Sequence, residues 1–316
     1  MTGEKEGLEP TKASQSDTCY PAGPLRFVVP YAKGGPGDLM ARLVGEKLAK
    51  RLGQSIDFEN IPGKGGTLGT AKVASLPADG HTLLIMASPH TISPSLYPEL
   101  PYDTLHDFQG VTLMISMPNV LVVSPSFPAD SVSELVEYAR ANPGKLKYGS
   151  GGIGTPSHLG AELLKSMAGL DIGHAQYGGH AEAGEALRKG EVHMLFDAMM
   201  MALPELHAGT EKALGVTSPN RSEHVPEIPT IDESGVPGFD FSPGVGVLVR
   251  SGTPPEIVNR LYKEIKAILA LPEVSGWIAQ SGAEIVASDP PEFCGHIARE
   301  ITKWAKVIAA AGIIAT

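Results

Sequence analysis

Two stretches of this chain place clustered glycines between a short β-prone run and a run with helical periodicity. They are Pro30-Tyr31-Ala32-Lys33-Gly34-Gly35-Pro36-Gly37-Asp38 and Gly149-Ser150-Gly151-Gly152-Ile153-Gly154-Thr155-Pro156-Ser157-His158. Leu25 to Val29 and Lys145 to Tyr148 precede them and read as strands; amphipathic segments follow them. Each stretch therefore demands a strand, a tight turn and a helix in that order. Glycine lets the backbone adopt positive φ and approach a guest closely, while the helix behind presents unpaired N–H groups and partial positive charge. Such a junction holds an anion without a cationic side chain. Two of them, in separate halves of the chain, predict two jaws closing on one small anionic ligand.

At 316 residues the chain exceeds what one core usually serves, so two domains are expected. A net charge of −10 argues against a nucleic-acid scaffold, which needs clustered Lys and Arg. It does not oppose anion binding, because net charge is screened within roughly 8–10 Å at physiological salt and local donors decide a site. Met1 to Tyr20 is polar, carries no apolar run of the length an export signal needs, and reads as a disordered tail. No stretch reaches the roughly 20 apolar residues of a membrane span, so no membrane insertion is expected. Cys19 and Cys294 show no sign of pairing.

Along the chain, Leu25–Val29, Ile56–Glu59 and His81–Met86 read as strands. Helices follow from Asp38, with Leu39, Met40, Leu43, Val44, Leu48 and Leu52 at helical spacing, and around Gly69–Ser75. This alternation predicts an α/β fold with a largely parallel sheet. A second α/β unit starts with Asn119–Ser124 and continues through a helix over Ser131–Ala141, the strand Lys145–Tyr148 and a helix over Pro156–Ala168. Strands near Ile172–Tyr177, Val192–Phe196 and Lys212–Thr217 complete it. Pro226–Pro243 is an irregular connection rich in proline. Val245–Arg250 is a further strand. The closing helices carry apolar faces made of Ile257, Leu261, Ile265, Ile268 and Leu269, and of Phe293, Ile297, Ile301, Trp304 and Ile308. The chain thus crosses between lobes near 120 and returns near 244, and two crossings make a hinge. The expected division is a tail over 1–20, lobe 1 over 21–120 plus 244–316, and lobe 2 over 121–243.

Gly149, Gly151 and Gly154 satisfy the dinucleotide fingerprint in outline, but the acidic partner it requires is misplaced: Asp171 precedes the next strand instead of ending it. Neither a P-loop nor a nucleophile elbow is present, and ten scattered histidines form no metal-ligand pattern. No cofactor and no metal are expected. Asp38 serves as helix N-cap or, less favoured, as general base. His158 either faces a ligand or packs beneath the second loop. Asp197 ends the strand Met194-Leu195-Phe196, where α/β folds place ligand-facing residues, or serves its turn. Lys33 either touches the anion or is simply exposed. Met199 to Met201 supplies packing or an adaptable apolar wall.

In order and spacing the chain resembles the substrate-binding proteins of tripartite tricarboxylate transporters, also called the Bug family. The segments that carry the resemblance run from Leu25-Arg26-Phe27-Val28-Val29-Pro30-Tyr31 with Gly34-Gly35 and Asp38, through Glu59-Asn60-Ile61-Pro62-Gly63 with Gly65-Gly66, to Pro77-Ala78-Asp79-Gly80-His81-Thr82-Leu83-Leu84. They continue with Asn119-Val120-Leu121-Val122-Val123, Ala141-Asn142-Pro143-Gly144-Lys145-Leu146, Ser157-His158-Leu159, Leu195-Phe196-Asp197, and Ile228-Pro229-Thr230 with Gly235-Val236-Pro237-Gly238. The likeness covers about residues 21 to 313. It implies an α/β, two-lobed periplasmic-binding-protein-like (Venus flytrap) fold, each lobe a mixed sheet flanked by helices. It further implies a non-enzymatic, periplasmic protein that captures a small carboxylate and delivers it to membrane permease subunits. The ligand would meet Tyr31, Ala32, Lys33, Gly34, Gly35, Pro36, Gly37 and Asp38 from one lobe. From the rest of the chain it would meet Ser88, Ser150, Gly151, Gly152, Thr155, Ser157, His158 and Asp197. Lys33, Ile153 and Pro156 depart from what relatives usually carry. An enzyme using Asp38, His158 or Asp197 as acid or base, and a ligand sensor, are the alternatives.

Overall fold

A computed structural model describes residues 20–97 and 99–313. The tail expected over 1–20 lies outside the described residues except for Tyr20, which is buried against the first lobe and donates its hydroxyl to the Gly80 carbonyl at 2.7 Å.

The chain builds two mixed sheets flanked by helices. In the first, β1 (Leu25–Val29) pairs in parallel with β2 (Ile56–Asn60) and β3 (Thr82–Ala87), and each is followed by a helix or helical turn. Those helices are α1 (Pro36–Leu52), α2 (Thr67–Ala74) and α3 (Pro89–Leu96). Of two longer strands, the later β10 (Gly244–Arg250) adds antiparallel to β3, and β4 (Phe108–Ser116) adds antiparallel to β10 on its outer side. The short β11 (Glu284–Ile285) closes that edge, giving the order β11-β4-β10-β3-β1-β2. β4 and α3 escape the sequence reading. β4 is buried on both faces, so it shows no alternation, and α3 carries Pro94 inside it.

The second sheet has the order β7-β6-β8-β5-β9. It is built from β5 (Asn119–Val123), β6 (Lys147–Ser150), β7 (Gly173–Gln176), β8 (Met194–Ala198) and β9 (Lys212–Val216). Its helices are α4 (Val132–Ala141), α5 (Pro156–Ala168), α6 (His180–Arg188) and α7 (Met199–Ala208). Four strands run one way and β5 runs against its neighbours β8 and β9, which makes this sheet mixed.

The crossings are short and tied together. The Met117 N–H, between β4 and β5, donates to the Pro243 carbonyl at 2.6 Å, just before β10. The Asn119 N–H donates to Thr217 Oγ1 at 2.8 Å.

After α8 (Pro255–Leu269) and α9 (Pro272–Gln280), the closing helix α10 (Pro290–Ala311) makes a third connection. Its 22 residues span about 33 Å. Phe293 and Ile297 pack on the first sheet with Val28, Leu84 and Leu248, whereas Trp304, Val307 and Ile308 enter the second core beside Leu159 and Phe241. Phe293 seats where two neighbouring strands lack side chains: a Cβ on Gly246 would stand 2.3 Å from Phe293 Cζ, and one on Gly110 would stand 2.8 Å from Phe293 Cδ1.

Candidate functional site

The first glycine junction leaves β1 at Val29 and enters α1 with Gly35 as N-cap and Pro36 at the first helical position, where a missing N–H costs nothing. Asp38 is not the N-cap. It lies in the first turn and reaches back, accepting from the Gly34 N–H at 3.0 Å, while Gly34 takes a φ of +82° that suits glycine. Its carboxylate also accepts from Arg42 Nε at 3.1 Å and from Asn60 Nδ2 at 2.9 Å. The Asn60 amide donates in turn to the Tyr31 carbonyl at 3.1 Å, so the end of β2 braces the loop after β1. The Arg42 hydrogen bond, above all, holds the buried Asp38 carboxyl down at about 2. Such a group is a weak base, and every bond named serves the loop's shape. Arg42 and Asn60 shape the loop without lining a cavity, and the i,i+4 spacing of Asp38 and Arg42 is the sequence signal for the first of them.

Tyr31 turns its hydroxyl to the end of β3, accepting from the Ala87 N–H at 3.1 Å and donating to the Ala87 carbonyl at 3.4 Å. Burial raises its pKa. Gly37 fits beneath the Tyr31 ring, where a Cβ would meet Tyr31 Cδ2 and Ile85 Cγ2 at 3.2 Å each. Ser88 precedes α3 and caps it through its carbonyl, which accepts from the Thr91 N–H at 3.1 Å.

The second junction is knitted from within. The N–H groups of Gly151, Gly152 and Gly154 donate to Ser157 Oγ, Ser150 Oγ and His158 Nδ1, each at 3.2 Å. Thr155, the N-cap of α5, gives its hydroxyl to the Gly152 carbonyl at 2.6 Å. Three amides that the sequence offers to a guest are thus engaged by the loop's own side chains. Beneath the loop, His158 and His174 have ring centroids 4.6 Å apart, and His174 stacks on Tyr148 at 4.7 Å. Ser150 Oγ lies 2.6 Å from His174 Nε2, and the Tyr148 hydroxyl donates to Glu162 at 2.6 Å. Burial first, then the neighbouring His174, pushes the His158 pKa down to about 4, so its ring is neutral at pH 7 and can accept the Gly154 N–H. His158 thus braces the loop from beneath through Nδ1. Asp197 is buried within β8, in register with Val120.

The two junctions face one another across a cavity of about 250 Å³ between the sheets. Tyr31, Gly35, Pro36, Gly37 and Ser88 line it, as do Gly154 and Pro156 from the other side. Ala32, Lys33, Gly34, Asp38, Ser150, Gly151, Gly152, Thr155, Ser157, His158 and Asp197 stand outside this lining. Lys33 is exposed. The sequence reading did not anticipate the remaining wall: Ala87, Pro89, Ile92 and Leu159, with Met117, Phe241, Pro243, Gly244 and Val245 from the crossings. Larger hollows of 640, 570 and 740 Å³ lie elsewhere and do not touch the first junction. Among the described residues no group of three His, Cys, Asp or Glu side chains could hold a metal, and no helix is long and apolar enough to cross a membrane.

A family described as the tripartite tricarboxylate transporter family receptor matches residues 40–313. The chain belongs to this family. BugT of Bordetella pertussis is 35% identical over 302 residues, covering 95% of this chain and 93% of that protein. Among solved structures, Rpa4515 of R. palustris with adipate is 35% identical with a TM-score of 0.73, over 93% of this chain and 99% of that one. MatC of Rhodopseudomonas palustris with bound malate is 33% identical with a TM-score of 0.70, over 92% and 100%. Family membership makes the chain a transporter receptor and agrees with the two-lobed α/β fold expected from its resemblance. In this receptor the first junction lines the cavity directly, while the second is represented there by Gly154 and Pro156.

Proposed function

We propose that this receptor captures a small carboxylate in the cavity between its lobes and presents the closed form to permease subunits of a tripartite tricarboxylate transporter, in the periplasm. The observation that carries the reading is the convergence of three helix starts on one cavity, α1 at Pro36, α3 at Pro89 and α5 at Pro156. Each contributes partial positive charge and first-turn N–H groups without a cationic side chain. Adipate and malate in the two solved relatives support the choice of a carboxylate. Hydrogen bonds to a charged group contribute roughly 1.5–3 kcal/mol each, so four or five of them, less the entropy lost on binding, support micromolar affinity, about −8 kcal/mol.

The lobes are assigned as 21–120 plus 244–316 and 121–243, with the end of α10 reaching across to the second. Closure turns about the paired crossings at Met117 and Pro243. The protein binds without turnover: Asp38 is tied on several sides and held too acidic for a general base, and His158 already accepts a backbone N–H. Calorimetry against a panel of carboxylates and amino acids, with the recovered ligand analysed for chemical change, tests this. Binding with intact ligand is expected; consumption of the ligand would replace the receptor reading with the enzymatic one.

A further inference from the structure

The lining of the cavity divides by exposure: Pro36 and Pro156 are exposed and Gly35, Ser88, Pro89 and Gly154 partly buried, whereas Ile92, Leu159, Phe241 and Val245 are buried. Its rim holds the starts of α1, α3 and α5, whereas Ile92 and Leu159 lie three residues further along α3 and α5, on the same faces as Pro89 and Pro156. Phe241 and Val245, both buried, and Met117, partly buried, complete the wall. Among the described residues that line the cavity none is charged, and polar side chains come from Tyr31 and Ser88. The Tyr31 hydroxyl is committed in both directions to the Ala87 backbone. A ligand whose carboxylate meets the helix starts must therefore lay the rest of its body against hydrocarbon.

We infer that the preferred ligand is a monocarboxylate with a compact apolar body, aliphatic or aromatic, instead of a di- or tricarboxylate. This rests on the carboxylate-receptor reading above. The volume of about 250 Å³ equals about eight water molecules at roughly 30 Å³ each, which suits a body the size of hexanoate or benzoate. A second carboxylate placed deeper than the helix starts would lose its hydration against Phe241, Met117 and Val245 and gain no side-chain partner there. Hydroxyl groups along the chain meet the same wall, so hydroxy acids are disfavoured for the same reason. Lys33 stands at the first junction but outside the lining, and does not supply the missing charge.

Titration calorimetry on the full chain with matched pairs decides the matter: hexanoate against adipate, and benzoate against terephthalate. Each monocarboxylate is expected to bind about 100-fold more tightly than its partner, the penalty of an unpaired buried charge. Met117→Lys places a cation in the cavity wall on a partly buried, unbranched side chain and should narrow that ratio to about tenfold or less. Adipate or terephthalate binding to the unaltered chain within about tenfold of its partner would overturn the inference while leaving the receptor reading standing. Failure of every carboxylate, mono or di, to bind would overturn both.

Discussion

Replacing Asp38 by Asn removes one charge from the first junction at almost constant volume, and the structure sets the size of the effect. The carboxylate accepts from Gly34 N at 3.0 Å, Arg42 Nε at 3.1 Å and Asn60 Nδ2 at 2.9 Å, and its side chain is 4% exposed. Asparagine keeps one acceptor oxygen and turns an NH₂ group towards neighbours that are themselves donors. Two routes to the magnitude agree. A pKa lowered from 3.8 to about 2 corresponds to about 2 kcal/mol of stability at neutral pH. Losing a hydrogen bond to a charged group costs roughly 1.5–3 kcal/mol. Arg42, whose side chain is 38% exposed, can turn into water, which keeps the loss below the roughly 3–5 kcal/mol of a broken fully buried pair.

The pH dependence follows from the direction of the shift. A carboxylate with a depressed folded pKa contributes its full stability above the unfolded value near 3.8 and loses it as pH falls through about 2. Urea unfolding should therefore show Asp38→Asn less stable than the parent by about 2 kcal/mol at pH 7. The gap should shrink between pH 4 and pH 2. A gap unchanged at pH 2, or a variant as stable as the parent at pH 7, would refute the ion-pair account of this loop.

Gly35→Val places a branched side chain in the cavity without backbone strain, since φ at Gly35 is −76° and the nearest atom to an added Cβ is the Ala32 carbonyl at 3.6 Å. Carboxylate affinity should drop about 100-fold or more in calorimetry with little change in melting temperature, and further than in Asp38→Asn. Because His158 is held neutral, it should withdraw roughly 3 kcal/mol of stability as pH drops from 6.5 towards 4, alongside His90, which burial lowers to the same value, and His158→Gln should make that limb of the stability curve shallower. Trp304→Ala should cost about 3–5 kcal/mol in denaturant unfolding: the ring is fully buried against Phe241, 5.1 Å away and edge-on, and its N–H donates to Glu300 at 2.9 Å.

Much of this receptor was legible in its residues. The strands before each glycine junction, the helices behind them and the start of α5 at Pro156 follow from local chemistry: apolar runs of strand length, proline tolerated in a first turn, glycine where φ turns positive. Short-range rules also name the junctions as the parts of the chain able to approach a ligand. They fail at β4, whose burial on both faces erases its period, and at Asp38, where a cap and a first-turn acid look alike in one dimension.

Only the tertiary structure decided which face of each junction is open. Ser150, Ser157 and His158 carry ligand-like chemistry in sequence, yet folding turns them inward to satisfy Gly151, Gly152 and Gly154, because those amides would otherwise be left without partners in a part-buried loop. The apolar wall of Met117, Phe241 and Val245 arises where strands far apart in sequence pass between the lobes, and no local pattern encodes that meeting. The sequence determines, by itself, that helix starts will hold an anion. The packing of the crossings and of α10 determines how much room the rest of that anion has, and what it must touch.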